Sequence, residues 1–221
     1  MLPYVVLGVW TALTFAVCLL RDRLSLDNLT RLLILGFLGA ALALLPLWRR
    51  LARVLRPGRW FVGAAVVSAL VVEGCYMISA PLHPSLRITV KTGAGAALRN
   101  YGIDVLLVTP AYVVLGVLDL WLIRRHRYRL WELAMILPIG HALGDGQAFF
   151  LANPGLLWLL PYVMINYQAM LLPAYLALPP QPSPPPRPRW QGYVLPLVLL
   201  PIAYFVCGAT LLWSGRRLGL F

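Results

Sequence analysis

A chain of 221 residues that is 61% hydrophobic and only 12% charged, with a mean hydropathy of +0.79, cannot cover a soluble globule with a polar surface. It reads as an all-α, polytopic membrane protein forming a single membrane domain over 1–221. The formal net charge of +12 does not point to nucleic acid, because the arginines gather at the ends of apolar runs: Arg49, Arg50, Arg53, Arg56 and Arg59 in one loop, Arg124, Arg125, Arg127 and Arg129 in another. Membrane lipids with anionic head groups are the partners that this placement implies.

Taking apolar runs of roughly 17 to 25 residues as membrane spans, the chain divides into seven: 3–20, 31–48, 59–79, 102–124, 131–152, 155–178 and 193–213. The expected fold is a seven-transmembrane-helix bundle. The first span has no basic residue before it and no small-residue cleavage site after Leu20, so it reads as a retained helix and not a secretory signal. Cys18, Cys75 and Cys207 fall in three different spans and form no C-x-x-C pair, which makes them packing residues.

Span three carries Glu73 within ALVVEGCYMISAP. A lone carboxylate well inside an apolar helix marks a site by default, because ionisable groups are costly at membrane depth. The irregular stretch 80–100 that follows, with Pro81, Pro84 and Thr92-Gly93-Ala94-Gly95, suits either a lid over a cavity or a plain connector. Span four then opens with Tyr101 and Asp104 at the same membrane face.

Spans five and six, LPIGHALGDGQAFFLANPGLLWLLPYVMINYQAMLLPAY, are joined by an Asn153-Pro154-Gly155 turn. They place His141, Asp145, Gln147, Asn166, Tyr167 and Gln168 among hydrocarbon. Asn166 and Gln168 are also the residue types that bond helices together in membranes. The Pro-rich loop 179–189 reads as an extended polyproline spacer before span seven.

Spans three and five run in the same direction, so Glu73 and Asp145 should lie at similar depth, with Asn166 near mid-membrane and Asp104 and Tyr101 nearer the face. His141 and Asp145 at i,i+4, and Glu73 and Tyr76 at i,i+3, each share a helix face. The arrangement predicts one polar pocket open toward one face. Asp119 and Glu132 lie close to the arginines at 124–129 and are expected to pair with them.

The chemistry within reach of such a pocket is narrow. One mid-membrane histidine does not make a metal site, the only lysine, Lys91, lies in a loop, and phosphate-binding glycine loops are absent, so no cofactor is expected. Carboxyl chemistry remains. A carboxyl group buried without a cation can stay protonated at neutral pH, protonate an alkene or epoxide, and leave aromatic faces to stabilise the cation.

From Arg49 to Pro173, the wording of RRLARVLRPGRWFVGAAVVSALVVEG, RNYGID, LGDGQAFF and LLPYVMINYQAMLLP resembles the emopamil-binding protein (EXPERA) superfamily, which includes sterol Δ8–Δ7 isomerase. The resemblance implies an EXPERA-like core and places Glu73 and Asn166 at active-site positions. The chain departs from that pattern at Ala69, where the family has His, at Ala169, where it has Trp, and in lacking a mid-span Glu in span four.

Glu73-x-x-Tyr76 followed by Pro81 also resembles the W-E-x-x-Y…P stretch of small seven-helix membrane terpene cyclases, which cyclise prenylated indoles and meroterpenoids. Those enzymes use two acids. Span seven holds none here, so Asp145 or Asp104 would be the second. The two likenesses together imply a metal-independent, acid-initiated cyclase acting on a hydrophobic, farnesylated indole-type substrate. Its expected place is multi-pass in a membrane, as in the bacterial members of that group. The catalytic candidates are Glu73, Asp145 and Asp104, and Tyr76, Tyr101, His141, Gln147, Asn166 and Tyr167 are expected to line the substrate. The alternatives are a sterol-type double-bond isomerase and a non-catalytic lipid- or sterol-binding protein.

Overall fold

A computed structural model describes residues 2–23, 25–145, 150, 152–179 and 190–220. Among them every regular element is helical: α1 (Leu2–Arg21), α2 (Leu26–Ala43), α3 (Leu45–Ala52), α4 (Pro57–Tyr76), α5 (Ala94–His126), α6 (Leu130–Asp145), α7 (Leu160–Leu176) and α8 (Trp190–Arg217), with 3-10 turns at Pro84–Leu86 and Pro154–Leu159. Six stretches of the described chain are long and apolar enough to cross a membrane: α1, α2, α4, α5, α8, and Pro154–Leu176, which joins the second 3-10 turn to α7. The expected span 131–152 is described as the 16 residues of α6, beyond which 146–149 lie outside the described residues.

The helix ends differ from the hydropathy reading for local reasons. Ser25 caps α2, its Oγ accepting from the Asn28 amide at 3.1 Å, and Asp27 complements the helix dipole in the first turn. The helix therefore begins five residues before the expected 31. It stops at Ala43, and Pro46 opens the separate short helix α3, so the expected single span 31–48 is two helices. α4 starts with Pro57 at its first position, where a missing N–H costs nothing.

α5 begins at Ala94, which places seven residues of the expected loop 80–100 on helix. Its 33 residues span about 50 Å at 1.5 Å per residue, against about 30 Å of hydrocarbon. The first turns extend toward the face that carries 77–93, and that segment folds against them: Asn100 donates to the Leu86 carbonyl at 3.3 Å, and Leu86 is buried. Ile88 N–H closes back on the Met77 carbonyl at 2.8 Å. Thr30 of α2 meets Ser79 at 2.8 Å, tying the same segment to the bundle.

α7 is the hub and packs on α1, α2, α4 and α6. In its span 61% of the apolar window is buried, against 17% for α1 and 11% for α8, whose outer faces are left for lipid. α6 seats against α8 through Gly140 and Gly144. A Cβ on Gly140 would lie 2.6 Å from the Pro196 carbonyl oxygen, and one on Gly144 would lie 2.7 Å from the Tyr204 ring, so only glycine permits this approach.

Candidate functional site

The sequence candidates gather where α4, α5, α6 and α7 face one another. Glu73 is half-buried near the end of α4, and its Oε1 accepts a hydrogen bond from the Tyr112 hydroxyl of α5. It has no ion-pair partner among the described residues, while the carboxyls of Asp104 and Asp145 are close enough to act on it electrostatically. One helical turn on, Tyr76 receives the Asn166 amide of α7 at 2.6 Å, and Asn166 Oδ1 is buried without a partner among the described residues. Asn166 thus bonds the residue one turn along α4 from Glu73.

Asp145, the last residue of α6, is exposed and accepts from the Tyr167 hydroxyl at 2.7 Å. His141, one turn earlier, stacks on the Tyr167 ring with centroids 5.0 Å apart. The shared face predicted for His141 and Asp145 is therefore directed at one tyrosine. Gln168 donates to the Ala134 carbonyl at 2.9 Å, holding α7 to α6. Gln147 lies outside the described residues.

Several expectations change. Asp104 is enclosed by protein. It is fully buried in the third turn of α5, because the helix starts at Ala94 and the segment after α4 covers it. The Leu82 amide donates to its Oδ1 at 3.1 Å, and its Oδ2 has no partner among the described residues. The segment thus packs over an acid, as a lid would. Tyr101 does not offer its hydroxyl to the pocket: it donates to the Leu70 carbonyl at 2.8 Å, and its ring rests 3.6 Å from where a Cβ on Gly74 would stand.

Asp119 does not join the arginine cluster. Its two oxygens lie 3.1 and 3.0 Å from His141 Nε2, and His141 Nδ1 meets the Tyr204 hydroxyl of α8 at 3.2 Å. Glu132 likewise bonds no arginine side chain. It accepts from the Arg129 backbone amide at 2.8 Å, half of a capping box at the start of α6, and from Tyr193 at 3.0 Å. Closeness in sequence paired both acids with the arginines because hydropathy cannot report which way a helix face turns.

Arg31 has no counterpart in the sequence reading. With span two set to begin at 31 it looked like a boundary charge. The Ser25 cap places it inside α2 instead, where its guanidinium is buried and its Cζ stands 5.2 Å from the ring centres of both Tyr76 and Tyr162. The Ser25–Asp27 start signal was present in the sequence and would have found it. Tyr112 and Tyr204 were missed for lack of any local signal.

At the opposite end of α4, Arg56, Arg59 and Arg124 rim a cleft walled by Val62, Val117 and Leu120. No group of three His, Cys, Asp or Glu among the described residues is placed to hold a metal ion. No protein-family model, curated protein or solved structure matches this chain.

Proposed function

We propose that this chain is an integral membrane terpene cyclase of the acid-initiated, metal-independent kind, built as a seven-helix bundle with an EXPERA-like core. The observation that carries the reading is the Glu73 carboxyl. It lacks an ion-pair partner among the described residues, takes a hydrogen bond from Tyr112, and stands among tyrosines that are themselves hydrogen-bonded.

The chemistry follows from that geometry. Tyr112 occupies Oε1 and leaves Oε2 to carry the transferable proton. Glu73 gives that proton to the terminal alkene carbon or epoxide oxygen of a farnesylated aromatic substrate. The carbocation so formed is attacked by successive alkenes, each step moving the charge along the chain as a ring closes. The faces of Tyr76, Tyr167 and Tyr204 stabilise the cation. Loss of a proton to Asp145, which Tyr167 holds in place, ends the reaction. Asp104, pinned under the Leu82 amide, is the other candidate for that second carboxylate.

Incubating membranes that contain the protein with farnesylated indoles, epoxidised and not, and identifying products by mass and NMR tests the reading. A product of unchanged mass with new rings supports it. A shifted double bond with no ring indicates the sterol-isomerase alternative. Binding with no product at all indicates a lipid- or sterol-binding protein.

A further inference from the structure

Arg31 is the one buried cation near the tyrosines, and the described residues leave it incompletely met. Its two π faces are covered by Tyr76 and Tyr162. Its hydrogens point in the guanidinium plane, and there Nε and Nη1 have no acceptor among the described residues. Nη2 lies 3.7 Å from Asp27, beyond hydrogen-bond distance, and that carboxylate is half exposed.

The neighbouring oxygens are already committed. The Tyr162 hydroxyl is directed to Asn28 at 2.5 Å and Asp27 at 3.0 Å, and the Tyr76 oxygen receives Asn166. Tyr76 still has its own hydroxyl hydrogen to give. Unmet donors on a buried, permanently charged group are costly in an apolar interior unless an acceptor arrives. His141 in the same bundle, by contrast, has a partner on each ring nitrogen.

We propose that Arg31, with the Tyr76 hydroxyl, binds the oxyanion head of an amphiphilic substrate, a carboxylate or phosphate joined to an isoprenoid chain, whose apolar part extends from Tyr76 toward Glu73. The proposal rests on the reading of this pocket as the substrate site. Position supports the direction: Arg31 lies early in α2 and Tyr76 ends α4, so both stand toward the same membrane face, and Glu73 lies one turn deeper. An ionic head thus stays near the interface while its tail reaches the acid. A single contact to Arg31 also leaves the reacting end free.

The test is equilibrium binding to the full-length protein in detergent or nanodiscs, with farnesoic acid, farnesol, acetate and inorganic phosphate as probes. Farnesoic acid should bind about tenfold or more tightly than farnesol, the scale of one charge-assisted hydrogen bond. Acetate and phosphate, heads without tails, should bind far more weakly than either. Arg31→Met should erase the preference of acid over alcohol, and Arg31→Lys should keep part of it. Equal affinity for acid and alcohol in the wild type overturns the proposal, and this comparison needs no variant to fold. A preference that survives Arg31→Met overturns it too, and phosphate or acetate binding as tightly as farnesoic acid would mean a site for free anions. Acid preference without turnover of any prenylated substrate would leave this site standing and remove the cyclase. Turnover without acid preference would do the reverse.

Discussion

Two buried polar side chains in this bundle, His141 and Arg31, are treated in opposite ways. His141 has a partner on each ring nitrogen, Asp119 on one side and Tyr204 on the other, and a tyrosine stacked on its face. Arg31 has rings on both faces and, among the described residues, nothing on two of its three nitrogens. A membrane interior offers no water to make up the difference, so complete satisfaction marks a group that holds helices together. An open edge marks a group waiting for a ligand. Glu73 and Asp104, each bonded through one oxygen, belong to the open class.

The comparison breaks most visibly at the satisfied end. His141→Phe keeps the stack on Tyr167 but leaves Asp119, 1% exposed, without its donor. Removing one member of a buried pair costs roughly 3–5 kcal/mol, so thermal unfolding in detergent should drop sharply. A variant as stable as the wild type would mean that the pair is not structural. At the open end, Asp145→Asn should leave stability nearly unchanged while lowering turnover by about 10²-fold, the scale of a positioned acid or base. A silent Asp145→Asn with an inactive Asp104→Asn would move the second carboxylate beneath the 77–93 segment.

Gly144→Ala probes what sets the geometry of both clusters. The new Cβ would meet the Tyr204 ring at 2.7 Å and Pro201 at 3.1 Å, an overpacking cost of about 1–3 kcal/mol. It should move Tyr204 from His141 and lower the melting temperature by less than His141→Phe does. The smallest expected effect is one of orientation. Eleven of the 19 basic residues fall on the N-terminal side of the seven-span layout and eight on the other, a bias toward a cytoplasmic N-terminus. A substrate made from cytoplasmic diphosphates argues for the opposite, with the 80–100 region cytoplasmic. Reporter fusions at Ser183 and at the C-terminus should then report opposite sides, the C-terminal one cytoplasmic. An external C-terminus would favour lateral substrate access from the bilayer.

What the sequence made legible follows spacing along single helices. The apolar runs located six stretches of the described chain long and apolar enough to cross a membrane, and the i,i+3 and i,i+4 rules put Glu73 and Tyr76, and His141 and Asp145, one turn apart on their helices. Partners between helices were not legible. Asp119 is 22 residues from His141 and Tyr112 is 39 from Glu73, and these meetings depend on how each helix is rotated. Contacts such as Gly140 and Gly144 against α8 set that rotation, and hydropathy is blind to it. The Arg31 miss had a different origin: hydropathy placed the start of α2 where polarity ended, whereas the Ser25 cap placed it where the backbone amides find an acceptor.

Glu73 is the proposed proton source. Its most direct test is turnover of farnesylated indoles by membranes containing wild-type protein or Glu73→Gln at matched expression. The amide keeps the shape and can still accept from Tyr112, but it has no acidic proton to give. Cyclised product should fall by about 10²–10⁴-fold while substrate binding and protein level persist. Cyclisation by Glu73→Gln at the wild-type rate would contradict the account.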